Sequence, residues 1–368
     1  MNRPALTALA ETLPATVPFV GPEAQERARG RPFRARIGAN ESGFGPAPSV
    51  QAAIAVAAGD VWKYADPENH DLKEALAAHL GVRSGNIVIG EGIDGLLGLI
   101  VRLYVEHGHP VVTSLGAYPT FNYHVAGFGG RLVTVPYRDD REDIDALLDA
   151  ARRESATLVY LSNPDNPMGT WWDADDIVRL IQGLPETAML VLDEAYCETA
   201  PASALPPLDI GRPNVLRLRT FSKAYGLAGL RCGYAIGEAG AISAFDKVRN
   251  HFGVNRMAQT AALAALADQA YLAKVVGEVA ACRQRIADIA DANGLASLPS
   301  ATNFVAIDCG RDGAFALKVM QGLVARDVFV RKPMAPVLDR CIRISVGPSA
   351  EIDLFAQELP QALALARA

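Results

Sequence analysis

Lys223 is the residue whose type most restricts the chemistry open to this chain. Seven lysines stand against twenty-eight arginines, so where only a cation is wanted the chain uses Arg. A lysine amine, unlike a guanidinium, can lose its proton and form a Schiff base with an aldehyde. Lys223 sits in Arg219-Thr220-Phe221-Ser222-Lys223-Ala224-Tyr225-Gly226-Leu227-Ala228-Gly229-Leu230-Arg231, among hydroxyls and glycines. On its own this stretch also reads as an ordinary surface loop. Other residues have to decide between the two.

Three further clusters have the same character. Gly90-Glu91-Gly92-Ile93-Asp94 places a glycine turn at a helix start, where backbone N–H groups and the helix dipole can hold a phosphate; it reads equally as a plain capped turn. Ser162-Asn163-Pro164-Asp165-Asn166-Pro167-Met168-Gly169 carries two Asn-Pro pairs, which either fix an Asn amide in one orientation or serve only as Asx-turns. Asp193-Glu194-Ala195-Tyr196 follows the apolar run 189–192. A carboxylate at the end of a buried strand needs a cation or a proton donor.

The elements that must position these clusters alternate. Strands are expected at 87–89, 110–113, 131–135, 157–161, 188–192, 215–218 and 233–236, with helices between them, one of them capped by Asp94. Such alternation implies an α/β domain whose mostly parallel sheet lies between helices. Beyond Asn255 a long Ala-rich helical region leads to strands near 303–307, 328–330 and 341–345, a smaller α+β domain. The expected division is an N-terminal segment over 1–45, packing with the small domain, a large domain over 46–255 and a small one over 256–368.

In open α/β sheets ligands bind beyond the carboxyl ends of the strands, and all four clusters fall there. Together they suit an aldehyde cofactor. Lys223 supplies the imine, Asp193 keeps a ring nitrogen protonated, Asn166 and Tyr196 donate to a phenolic oxygen, and Tyr118 offers a stacking face. Asp94, Thr220, Ser222 and Arg231 make a phosphate cup.

On these residues the chain resembles the fold-type I pyridoxal-phosphate aminotransferases of class I/II, among them the histidinol-phosphate aminotransferases and their paralogues. The resemblance runs from Asn40-Glu41 to Arg343-Ile344-Ser345-Val346-Gly347, with its most specific motifs at 163–169, 193–196 and 222–231. It implies the seven-stranded PLP-transferase fold, with pyridoxal 5'-phosphate held as an aldimine on Lys223. Lys223 would then shuttle the proton between the substrate's Cα and the cofactor. It also implies phosphate contacts from Gly92, Ile93 and Asp94, and from Tyr64 of a second subunit, hence a homodimer. Arg343 matches the carboxylate-binding arginine, while Arg331, Asn40 and Phe19 fall at substrate-facing positions. Phe19 stands where relatives carry a phosphate-holding tyrosine, Met168 where they carry Thr, and Ser42-Gly43 where they carry Asn-Pro. These departures are expected to bear on the substrate.

The implied reaction is transamination between an amino donor, histidinol phosphate or an aromatic or apolar L-amino acid, and a 2-oxo acid such as 2-oxoglutarate. A decarboxylase of the threonine-phosphate type shares the scaffold and is the alternative. A cofactor-holding regulator is disfavoured by the absence of any basic segment. The net charge of −6 offers no face to nucleic acid or anionic lipid. No run approaches about eighteen apolar residues and no signal core is evident, so a cytoplasmic location and no membrane partner are expected. Five scattered cysteines without a CxxC pair suggest neither a disulfide framework nor a metal site.

Overall fold

The structure, a computed structural model, describes residues 4–15 and 20–368. Phe19 therefore lies outside the described residues. Twelve strands occur among them: β1 (Ala35–Arg36), β2 (Ile87–Gly90), β3 (Pro110–Ser114), β4 (Arg131–Val135), β5 (Leu158–Ser162), β6 (Met189–Asp193), β7 (Val215–Thr220), β8 (Gly233–Ile236), β9 (Ala296–Ser297), β10 (Phe304–Asp308), β11 (Val328–Phe329) and β12 (Cys341–Ser345).

Strands β2 to β8 form one sheet in the order β2-β8-β7-β6-β5-β3-β4. All neighbours pair in parallel except β8, which runs antiparallel to both β2 and β7. This is the mostly parallel seven-stranded sheet that the alternating pattern predicts. Its central strands β5 and β6 are buried along their whole length, as an apolar strand covered on both faces must be. Alternate residues serve opposite layers. Leu158, Tyr160, Met189 and Val191 enter one core cluster with the helix Gly92–Tyr104, while Val159, Leu161, Leu190 and Leu192 enter another with the helices Ile144–Glu154 and Ala174–Gly183. The helix Gly92–Tyr104 presents Ile93, Leu96, Leu97, Ile100 and Val101 to the sheet, spaced as one helical face requires. It begins two residues before the expected cap, so Asp94 lies inside its first turn.

The C-terminal part holds the antiparallel sheet β12-β10-β9 against the helices Gln269–Ala292 and Gly313–Ala325, and the helix Ser349–Arg367 packs on Gly313–Ala325, β1 and β11. The short strand β1 of the N-terminal segment pairs in parallel with β11. That pairing is not evident from the sequence, because two-residue strands carry no periodicity; the helices Ala8–Thr12 and Pro22–Arg29 of this segment were not expected either. The Ala-rich region is two helices, Arg256–Ala267 and Gln269–Ala292, parted at Asp268. The first packs on helices Pro48–Ala57 and His70–Leu80 and shares a core with β2 and β8. We propose that the large domain runs on through this helix, with the longer helix as the joint.

Candidate active site

The sheet delivers its polar residues to one edge. In register, Ser162 at the end of β5 faces Asp193 at the end of β6, and Thr220 ends β7 three residues before Lys223. A cavity of about 320 Å³ opens there. Ile93, Asp94, Tyr118, Asn166, Asp193, Tyr196, Thr220, Ser222, Lys223 and Arg231 all line it. Segments far apart in sequence are thus brought to one place, as the strand-end argument requires.

Lys223 Nζ donates to the backbone carbonyl of Asn40 at 3.1 Å and lies 5.4 Å from the Tyr196 ring centre. Asp193 is 4% exposed. Burial pushes its carboxyl up to about 6, against the stabilising donation of Tyr160 Oη to Oδ2 (2.8 Å) and of the Ala195 N–H to Oδ1 (3.0 Å). The neighbouring Glu194 turns away into a buried ionic cluster, accepting from Arg217 Nε at 3.0 Å and Arg219 Nε at 2.8 Å. Those two guanidiniums hold its carboxyl below the usual range although burial opposes them.

The residues expected to make a phosphate cup form a connected set. Thr220 Oγ1 donates to Ser222 Oγ at 2.9 Å and accepts from the Ser222 N–H at 3.0 Å, while Arg231 Nη1 reaches Ser222 Oγ at 3.4 Å. Arg231 holds a left-handed backbone (φ 57), and Gly92 opens its helix at φ 74. A Cβ on Gly92 would stand 2.6 Å from Arg231 Nη2, so only glycine lets the guanidinium approach the helix start. The Asp94 carboxylate accepts from Tyr118 Oη at 2.7 Å and lies 3.7 Å from Arg231 Nη2. Burial, then the Asp94 charge, raises the Tyr118 phenol above its ordinary value.

Several expected residues do not line the cavity. Asn40 sits behind it as a hub in a left-handed conformation (φ 56): its Nδ2 donates to Tyr196 Oη (3.2 Å), its Oδ1 accepts from Ser345 Oγ (3.0 Å), and its carbonyl also accepts from Asn303 Nδ2 (3.0 Å). Arg343 reaches the site through Asn166, donating from Nη1 to Oδ1 at 2.6 Å. Its Nε is buried with no hydrogen-bond partner among the described residues, and burial pulls its guanidinium down to about 10. Arg331 pairs with Arg343 through the backbone and donates from Nη2 to the Val20 carbonyl at 2.9 Å. Tyr64 is 79% exposed and packs on Phe252, away from the cavity of its own chain. Met168, expected to bear on substrate, is instead fully buried with Ala306, Leu338 and Cys341.

Sequence reasoning missed a buried polar layer under the site. Tyr137 Oη donates to Asp165 Oδ1 at 2.8 Å, and the Ser162 N–H donates to Glu142 Oε1 at 2.8 Å. Burial pushes Asp165 up to about 7 and Glu142 well above the carboxylate range. Tyr160 belongs to this layer too. Its signal was present in the parity of β5, which puts residues 158, 160 and 162 on one face. Asn163 of the twin Asn-Pro loop proves structural, bonding Trp172 N and the carbonyls of Trp172 and Ala204.

Comparison with known proteins agrees with this geometry. The family described as aminotransferase class I and II matches residues 36–359. A histidinol-phosphate aminotransferase of Mesorhizobium japonicum is 37% identical, covering 89% of this chain and 90% of that protein. One from Moorella thermoacetica is 33% identical, over 89% and 85%. Among solved structures, histidinol-phosphate aminotransferase from Sinorhizobium meliloti in complex with pyridoxal-5'-phosphate is 63% identical with a TM-score of 0.95, covering 98% of this chain and 97% of that one. A threonine-phosphate decarboxylase from Porphyromonas gingivalis superposes with a TM-score of 0.76 at 19% identity, over 90% and 99%, and so shares the fold alone.

Proposed function

The chain belongs to the class I and II aminotransferases, and on that premise we propose that the strand-end cavity is its active site, with Lys223 carrying the cofactor. The enzyme is a pyridoxal-phosphate-dependent transaminase. One observation carries the assignment of residues: a single cavity joins the Lys223 amine, the buried Asp193 carboxylate, the amide of Asn166, the phenols of Tyr118 and Tyr196, and the Thr220–Ser222–Arg231 cluster. The donor set fits pyridoxal phosphate, and so does the approach of Arg231 that glycine at position 92 permits.

In this reading the helix-start N–H groups, the two hydroxyls and Arg231 hold the phosphate. Tyr118 offers its ring as a stacking face, and Asn166 and Tyr196 donate to the ring oxygen. When bound, the cofactor supplies an electron-accepting ring that makes a bond at the substrate's Cα labile. Asp193, ionised above about pH 6, keeps a negative charge opposite the ring nitrogen. Lys223 Nζ takes up and gives back the proton at the substrate's Cα. Arg343, whose buried Nε has no hydrogen-bond partner among the described residues, receives the anionic group of the substrate as a two-pronged donor, and Arg331 lies beside it.

The relatives' activity supports histidinol phosphate as amino donor and a 2-oxo acid such as 2-oxoglutarate as acceptor. An aromatic or apolar L-amino acid is the second reading, favoured by Phe19 in place of a tyrosine. Decarboxylation draws support from fold likeness alone. The exposed apolar patch of Trp62, Tyr64 and Phe252 supports a homodimer in which Tyr64 serves the neighbouring site. No helix of the described residues is long and apolar enough to cross a membrane, which accords with a cytoplasmic enzyme.

The test is a donor panel that includes histidinol phosphate and phenylalanine, scored by loss of the long-wavelength cofactor band and by 2-oxo-acid-dependent recovery. Histidinol phosphate is expected to react fastest. Carbon dioxide release with no need of a 2-oxo acid would replace transamination with decarboxylation.

A further inference from the structure

Tyr160 belongs to none of the motifs, yet its phenol reaches the charge on which the ring chemistry depends. In the β5–β6 register Tyr160 faces Val191 and Ser162 faces Asp193, so Tyr160 and Asp193 are diagonal neighbours on the same face of the sheet. An aromatic side chain is long enough to span that diagonal. Here Tyr160 Oη donates to Asp193 Oδ2 at 2.8 Å. The ring is fully buried and stacks on Phe121 with centroids 4.6 Å apart and planes 17° from parallel, which leaves the hydroxyl little freedom to swing away.

We propose that Tyr160 is a positioning residue that keeps Asp193 ionised and aimed at the cofactor's ring nitrogen. The inference rests on the reading of Asp193 as the partner of that nitrogen. A carboxyl so deeply buried prefers its neutral form, and a neutral carboxyl cannot hold a positive ring. Asp193 meets that tendency with two donors, the Tyr160 hydroxyl and the Ala195 N–H. The other charged groups acting on Asp193 oppose each other: Asp94, in the helix after β2, disfavours its ionisation, and Lys223, beyond β7, favours it. Glu142, from the segment between β4 and the helix Ile144–Glu154, and Tyr118, ahead of the helix Pro119–Gly127, also sense the Asp193 charge. Burial keeps the Tyr160 phenol protonated through the working pH range, so it remains a donor throughout.

The test compares wild type, Tyr160→Phe and Asp193→Asn as full-length chains dialysed against graded pyridoxal phosphate between pH 5.5 and 8.5. Bound cofactor is measured by absorbance. Removing a donor from a carboxylate raises its pKa, so in Tyr160→Phe the acid-side fall of affinity should move up by about one pH unit or more. Relative to wild type at the same pH, Kd should rise roughly 5-fold or more near pH 6 and converge above pH 8. An unshifted acid limb, or the same loss at every pH, overturns the proposal. Replacing Tyr160 with 3-fluorotyrosine keeps the packing and strengthens the donor. It should move the acid limb to lower pH, and an unmoved or rising limb again counts against the idea. Asp193→Asn separates the two levels of inference. If it leaves affinity and its pH dependence at wild-type values, the reading of Asp193 itself fails; if it abolishes them while Tyr160→Phe changes nothing, only the role of Tyr160 falls.

Discussion

The two ends of the cavity are built from different material. The end that holds Asp193, Thr220 and Lys223 is set by β6 and β7, adjacent parallel strands inside the large sheet, each paired on both sides and almost wholly buried. The end backed from behind its lining by Asn40, Arg331 and Arg343 is assembled from an N-terminal loop, an isolated bridge and the small antiparallel sheet. Ladder hydrogen bonds and close packing hold the strands that carry the first end. The second depends on side-chain links such as Asn40 to Ser345 and Arg343 to Asn166. Chemistry common to a family belongs on the rigid end, and substrate choice on the end where loops can vary without disturbing a sheet.

Substitutions at the two ends should therefore fail in different ways. Lys223→Ala is expected to lower turnover by roughly 10⁴-fold, the upper range for a positioned proton-transferring side chain, and to abolish the pH-dependent long-wavelength band. Retained turnover with an amino donor would break the comparison at its root. Asp193→Asn should lower kcat by roughly 10²- to 10³-fold, as the loss of a preorganised charge does, while keeping part of the cofactor binding. Near-normal kcat would mean that another group holds the ring proton. At the loop-built end Arg343→Ala should raise KM for the 2-oxo acid roughly 10- to 100-fold with a smaller change in kcat. A pure kcat effect would place Arg343 with the chemistry and erase the distinction. Met168→Thr, which restores the residue usual in relatives, is expected to lower stability by about 1–3 kcal/mol, because it opens space and buries a hydroxyl among Ala306, Leu338 and Cys341. Its KM values should stay within error, as thermal melting beside steady-state kinetics would show.

The same contrast governs what was legible in the sequence. The seven large-sheet strands and the gathering of the proposed cofactor residues at one sheet edge could be read because apolar runs and polar strand ends are local patterns, and Asp193 and Thr220 each close such a run. The β1–β11 pairing could not, since Ala35–Arg36 is too short to show a period. Nor could the roles of Glu142 and Asp165, whose partners Ser162 and Tyr137 are set by tertiary packing. Met168 looked like a substrate determinant only because a departure in a motif draws notice; the turn after Asp165, whose Oδ2 accepts the Met168 N–H, directs its side chain into a core. Asp94 looked like a cap because the helix start was set two residues late.

Glu194, next to Asp193 in sequence, carries a consequence for descent. Its carboxylate is 1% exposed and bound by Arg217 and Arg219 from the adjacent strand. Losing one partner of such a cluster strands a charge in the interior at a cost of about 3–5 kcal/mol, a large share of the 5–15 kcal/mol by which whole domains are stable. Residues 194, 217 and 219 are therefore coupled in energy: a packed apolar set could replace all three together, whereas each single replacement carries the cost of a stranded charge. Because that unit spans the strands that end at Asp193 and lead to Lys223, the spacing of the two central residues is guarded by a barrier that has nothing to do with catalysis.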